Sequence, residues 1–171
     1  MTEKYKNKYR SKSARLTGWD YGSNGLYYIT ICTKNRKHYF GDIVAEQDSV
    51  LDYLAVLRAS PIGEIACKNW LDIPNHFSFI QLDEFVIMPN HIHAILFMNK
   101  PDKIDWEVNK FGKQSQNLAS VIRGFKASVK AYATINHIQF DWQPRYYDHI
   151  IRNEKEYFNI TIILKIILIN G

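Results

Sequence analysis

Two largely apolar segments, residues 77–88 and 91–98, are separated only by Pro89-Asn90. Pro-Asn is a turn signal, and runs of this length on either side of it read as a pair of antiparallel strands. A sheet begun in this way needs an apolar surface packed against it, and the chain provides one downstream. Leu118, Val121, Ile122, Phe125, Val129 and Tyr132 recur at offsets of 3, 4, 7, 11 and 14 residues. That is the repeat of an amphipathic helix over residues 116–134.

The rest of the chain extends the pattern. Gly22 to Gly25 form a turn, and the run 26–33 (LYYITICT), rich in β-branched and aromatic residues, reads as a buried strand. Apolar residues at Val50, Leu51, Leu54, Val56 and Leu57 suggest a helix over 50–59. A second helix is expected over 61–70, with Pro61 well placed at its start. Residues 99–116 are polar and loop-like, and 140–147 form an aromatic-rich loop or short strand. Asn153 is suited to cap a last helix, whose first turn holds Glu154 and Glu156 where the macrodipole favours acids. The order strand, helix, strand, strand, helix, with a helix to end, predicts an α+β sandwich. The expected form is a ferredoxin-like, antiparallel four-stranded sheet with helices on one face. At 171 residues, residues 1–171 are expected to form one domain.

Composition narrows the setting. Hydrophobic residues are 46% and charged residues 23% of the chain, a globular balance. No uncharged apolar run of about 18 residues is present, which excludes a membrane-spanning helix as the expectation. No apolar signal region follows the basic N-terminus, and Cys32 and Cys67 stand 35 residues apart with no CxxC pair. Both features point to a cytoplasmic protein with reduced thiols. The net charge of +5 is concentrated at one end: residues 1–16 carry six basic residues, Lys12 and Arg15 among them, against Glu3 alone. The remainder is neutral. A basic arm of this kind either binds phosphate backbones or is a solvated leader.

His91 and His93 flank Ile92 within a strand, where side chains alternate, so both imidazoles share one face and lie about 7 Å apart along it. Such a pair can converge on one divalent ion. The same residues read equally as polar rings in an apolar strand that need partners if buried.

The full string Val86-Ile87-Met88-Pro89-Asn90-His91-Ile92-His93-Ala94-Ile95-Leu96 resembles the HUH motif of the single-tyrosine transposases related to REP-associated tyrosine transposases, the IS200-like transposase family. Residues 10–21 (RSKSARLTGWDY), 28–40 (YITICTKNRKHYF) and 142–153 (WQPRYYDHIIRN) are similar to further stretches of that family. The likeness spans about residues 10–160. It implies a DNA-cutting and rejoining enzyme acting on single-stranded or hairpin DNA. His91 and His93 would hold Mg²⁺ or Mn²⁺ to polarise the scissile phosphate, with Zn²⁺ as an alternative suited to imidazole. A tyrosine on a C-terminal helix would attack, storing the bond as a 5′-phosphotyrosine. Family members act as dimers or as monomers, so a homodimer is among the expected partners.

Here the chain departs from the pattern. The family's nucleophile follows an acid–Tyr pair, matched by Glu156-Tyr157, by six residues, and that position is Ile163. No tyrosine follows Tyr157. The tail 161–171, TIILKIILING, is unlike the family's Tyr- and Asn-bearing helix and suggests a frame-shifted or truncated copy. Tyr157 is the only substitute nucleophile nearby, and it is displaced by about 9 Å along a helix axis. The resulting expectation is a transposase whose cleavage step is in doubt, with a non-catalytic hairpin or single-stranded DNA-binding protein as the alternative. Further DNA contacts are sought on Arg123, Lys126 and Lys130, which form a stripe on the 116–134 helix. Alternatively that stripe is an ordinary solvated face. With the resemblance, Lys126 is favoured for phosphate contact. Arg145, set among Trp142, Tyr146 and Tyr147, suits phosphate contact beside base-stacking aromatics.

Overall fold

The computed structural model describes residues 19–47, 53–101 and 116–170. Six strands and four helices are assigned among them: β1 Gly25–Cys32, β2 Gly41–Gln47, β3 Tyr53–Ala59, α1 Pro61–Leu71, α2 Ile73–His76, β4 Ile80–Met88, β5 His91–Met98, α3 Leu118–Ile135, β6 Tyr147–Ile151 and α4 Glu154–Asn170.

The main sheet is antiparallel and has the order β4-β5-β1-β6. The first strand thus lies centrally beside β5 and the last, β6, forms the edge beyond it, as a ferredoxin-like β-α-β-β-α-β unit requires. The hairpin at Pro89-Asn90 is where the sequence put it. Alternation along β1 and β5 then sorts side chains by face. Tyr27, Ile29 and Ile31, with Ile92, Ala94, Leu96 and Met98, are fully or almost fully buried. They meet Ile62, Ala66 and Trp70 of α1 and Val121, Phe125 and Val129 of α3 in one apolar cluster. Trp70 and Phe125 pack edge to face at 5.1 Å.

Both covering helices begin on caps written into the sequence. Ser60 Oγ accepts from Gly63 N at 3.1 Å, with Pro61 in the first turn. Asn117 and Ser120 exchange side-chain and backbone hydrogen bonds in a capping box. Gly63 is dictated by proximity: a Cβ there would stand 2.0 Å from Phe40 O.

Two features depart from expectation. Residues 53–59 form a strand, not part of a helix over 50–59, and pair with β2 in a separate two-stranded sheet. The segment is apolar at nearly every position, so its own periodicity does not distinguish helix from strand. Pairing with Ile43 and Val44 of β2 decides it, and that partner lies outside the segment itself. In addition, α4 covers the sheet's second face. Tyr157, Ile160, Leu164 and Ile167 pack there on Val86, Ile95 and Ile151. The atypical tail therefore continues a helix, with Leu164 buried and Ile162, Ile163 and Phe158 about half exposed. Asn153 caps α4 as expected, accepting from Glu156 N at 2.9 Å. No helix among the described residues is long and apolar enough to cross a membrane.

Candidate metal and nucleic-acid site

His91 and His93 project from β5, a central strand, on the face that α4 partly covers. Their rings meet edge to face with centroids 4.5 Å apart. Each has its Nδ1 engaged. Asn90 Nδ2 donates to Arg36 O at 3.2 Å, which fixes the amide so that Oδ1 faces His91 Nδ1 at 2.6 Å. An amide oxygen only accepts, so His91 carries its proton on Nδ1 and presents a bare Nε2 lone pair. His93 Nδ1 lies 2.8 Å from the Tyr28 hydroxyl and 2.9 Å from Thr30 Oγ1. Both are hydroxyls able to accept an Nδ1 proton, and in that tautomer Nε2 is left free in the same way. The Tyr28 ring also stacks on His93 at 5.7 Å.

The protonation states suit a cation. Burial, then the neighbouring His91 and then Arg36, push the His93 pKa down to about 4. Burial and Arg36 lower that of His91. Both rings are therefore neutral at neutral pH, the form in which imidazole binds metal. Two neutral imidazoles with oriented outer nitrogens fit a divalent ion. Among the described residues no third His, Cys, Asp or Glu joins them, so other ligands would be water or phosphate oxygen.

The loop beneath the pair is held tightly. Thr33 N and Oγ1 both donate to Asn90 O, at 2.9 and 3.0 Å, and Oγ1 also donates to Lys37 O at 2.7 Å. Within that loop Asn35 and Arg36 adopt left-handed backbone angles, φ 56° and 54°. Such angles are uncommon for residues other than glycine and concentrate at functional sites.

Beside the pair, a cleft of 490 Å³ runs between β6 and α4, lined by Tyr28, Tyr147, His149, Glu156 and Asn159 among others. Tyr147 is half exposed and meets Tyr28 edge to face at 6.4 Å. His149 has a partner the sequence did not reveal: its Nε2 lies 2.6 Å from Glu156 Oε1, while Glu156 Oε2 accepts from Arg152 N at 2.8 Å. The backbone bond and the imidazole together lower the Glu156 pKa. This contact ties β6 to the first turn of α4.

The residues expected on α4 are both present and chemically distinct. Ile163, at the family's nucleophile position, is half exposed and has no hydroxyl. Tyr157 lies in the apolar cluster on the histidine-bearing face. The Asp83 carboxylate, followed by burial, raises the pKa of its hydroxyl. A nearby carboxylate favours the protonated phenol and works against a nucleophilic phenolate.

The basic stripe on α3 divides. Lys126 Nζ donates to Gln143 O at 2.7 Å and Arg145 O at 3.0 Å, and lies over the Trp142 ring. Burial holds its pKa below the ordinary lysine value. Lys130 donates to Phe140 O and binds Asp141 at 2.9 Å. Both ammonium groups thus secure the 140–145 loop, a duty that the stripe alone did not suggest. Arg123 is exposed on α3. Arg145 is exposed at a left-handed φ of 67° on the loop the lysines hold. Trp142 packs on Phe40, Phe125 and Phe140 and donates to Lys126 O, so it is part of the core. Lys12 and Arg15 lie outside the described residues.

No protein-family model matches the chain. A protein of Haemophilus influenzae, described as an uncharacterized protein, is 37% identical over 170 residues, covering 94% of this chain and 89% of its own. Among solved structures, a REP-associated tyrosine transposase bound to a REP hairpin superposes with a TM-score of 0.54 at 16% identity, over 96% of this chain and 72% of that one. A candidate transposase of Deinococcus radiodurans gives 0.48 at 13% identity, over 88% and 95%. The 0.54 match establishes a shared fold, that of the tyrosine transposase. By sequence, the chain belongs to the family of the Haemophilus influenzae protein.

Proposed function

We propose that this chain binds single-stranded or hairpin DNA as a protein of the single-tyrosine HUH transposase type, at a divalent ion, Mg²⁺ or Mn²⁺, held by His91 and His93. The observation that carries the reading is the ordered pair itself: two neutral imidazoles with ring centroids 4.5 Å apart, each with its Nδ1 engaged by a neighbouring side chain. When bound, the ion would supply charge neutralisation and polarisation of a phosphate oxygen. Asn90, Tyr28 and Thr30 hold the two rings in the tautomer that leaves Nε2 available. Arg145, on the loop leading into β6, and the half-exposed ring of Tyr147 on β6 are the candidates for phosphate and base contact. The hairpin bound by the similarly folded transposase supports this choice of partner.

Binding without cleavage is the form favoured here. In-line attack needs a hydroxyl about 3 Å from phosphorus, and modest misplacement lowers the rate by orders of magnitude. Ile163 has no such group, and the Asp83 carboxylate raises the pKa of the Tyr157 phenol. A second reading, catalysis by Tyr157, rests on its position on the histidine-bearing face of the sheet. It requires the phenol to ionise against that carboxylate. Incubation with a labelled single-stranded hairpin and Mn²⁺, followed by denaturing electrophoresis, separates the two. A shifted but uncut hairpin is expected under native conditions, with no adduct on the denaturing gel. A covalent adduct that disappears in Tyr157→Phe would establish catalysis. Absence of any hairpin binding would end the DNA reading.

A further inference from the structure

We infer that Arg36 makes metal and DNA phosphate binding at the histidine pair mutually dependent: its guanidinium, carried on the loop backbone that Asn90 ties to His91, opposes a lone divalent cation and receives a phosphodiester that arrives with it. This rests on the metal and DNA reading above and adds to it a residue, a sign of interaction and an order of preference.

The placement comes first. The Arg36 backbone is fixed to the metal-site turn by Asn90, whose amide donates to Arg36 O and whose oxygen accepts from His91. The double hydrogen bond of Thr33 to Asn90 O closes the same loop from its other end. Two successive left-handed residues, Asn35 and Arg36, set the direction in which the chain leaves that anchor. One amide thus positions both a candidate ligand and a cation.

Charge comes next. Of the loop's basic residues, Lys34 is matched by Asp141 at 3.4 Å. The exposed Arg36 side chain has no carboxylate partner among the described residues, while its charge acts on both imidazoles. A divalent ion at two neutral imidazoles would therefore add positive charge near a guanidinium that has no carboxylate partner, and no group of three or more His, Cys, Asp or Glu among the described residues gathers there to hold it. A phosphodiester brings the missing negative charge and can accept from the guanidinium while it ligates the ion. Each ligand then improves the site for the other, and by linkage the two enhancements are equal.

The test is Mn²⁺ titration of the full chain by electron paramagnetic resonance, with and without a saturating single-stranded oligonucleotide. Wild type, Arg36→Gln, Arg36→Lys and the His91→Ala, His93→Ala double variant are compared. The oligonucleotide should tighten Mn²⁺ binding to wild type. In Arg36→Gln, binding to the free protein should become tighter, on the order of fivefold at low salt for a dication relieved of one solvent-screened positive neighbour. The oligonucleotide's enhancement should shrink at the same time. Arg36→Lys, which keeps the charge, should resemble wild type in the free protein. Circular dichroism checks that each variant is folded. If Mn²⁺ binds through the histidines but Arg36→Gln changes neither affinity nor enhancement, the inference is overturned and the metal reading survives. If the double variant binds Mn²⁺ as wild type does, the metal reading fails and the inference fails with it.

Discussion

The two faces of the main sheet have different characters although they share the same strands. On one, Ile29, Ile31, Ile92 and Leu96 meet α1 and α3 in a close-packed apolar layer. On the other, Val86, Ile95 and Ile151 pack under part of α4, while His91, His93, Tyr28 and Thr30 form a hydrogen-bonded polar group beside them. Consecutive residues of β5 alternate between these environments, so a single strand serves both stability and chemistry. The first face is closed by shape, and the second by hydrogen bonds to the Nδ1 atoms of both histidines. An interior of the first kind is sensitive to volume. The second should be sensitive to charge and tautomer.

The sharpest break in this comparison should come from Gly63, on the helical side. A methyl group at that position would enter the carbonyl of Phe40. Gly63→Ala is expected to cost on the order of 3 kcal/mol or more, since neither backbone segment can yield cheaply. Thermal unfolding should show it as a large fall in Tm, and an unchanged Tm would mean that α1 does not approach Phe40 so closely. Next in size is a contrast between sequence neighbours. Ile92→Ala, on the packed face, should cost about 2–5 kcal/mol, whereas His93→Ala should leave stability near neutral pH far less affected. Comparable losses for the two would erase the distinction between the faces.

The distinction also has a pH signature. With its folded pKa depressed to about 4 from 6.5, His93 is neutral in both states above the higher value, so no stability is lost there. As pH falls from 6.5 toward 4 the unfolded chain takes up a proton that the folded chain refuses, and stability declines across that window. The loss should be on the order of 2 kcal/mol, and His93→Ala should flatten it in denaturant titrations. An unchanged slope in the variant would show that His93 titrates normally. The smallest effect is expected from Tyr28→Phe. The ring stays stacked on His93 and Thr30 still serves Nδ1, so Mn²⁺ affinity should fall nearer to tenfold than to a hundredfold. Loss of all binding would mean that Tyr28 does more than orient the ring.

The packed face was the more legible in the sequence. The β-branched and aromatic run of β1, the Pro89-Asn90 turn and the 3.6-residue repeat of α3 are local signals, and the cap at Asn153 sits beside the helix it starts. The β2–β3 hairpin was missed because its strands are identified by each other, not by either segment alone. The same limit applies to the polar face. The His-x-His spacing announced a shared side, but His149 gains its meaning from Glu156 on another element. Likewise, Lys126 and Lys130 look like a surface stripe until the carbonyls of residues 140–145 fold onto them. Arg36 is joined to His91 only through the side chain of Asn90, which bridges a loop and a hairpin turn.

The central claim is that the polar face holds a divalent ion through His91 and His93. Isothermal titration of Mn²⁺ into the wild-type chain and into the His91→Ala, His93→Ala double variant, each with hairpin DNA present, tests it most directly. One saturable site in the wild type and none in a folded double variant is the expected result. A site of equal affinity and stoichiometry in both proteins would contradict the account.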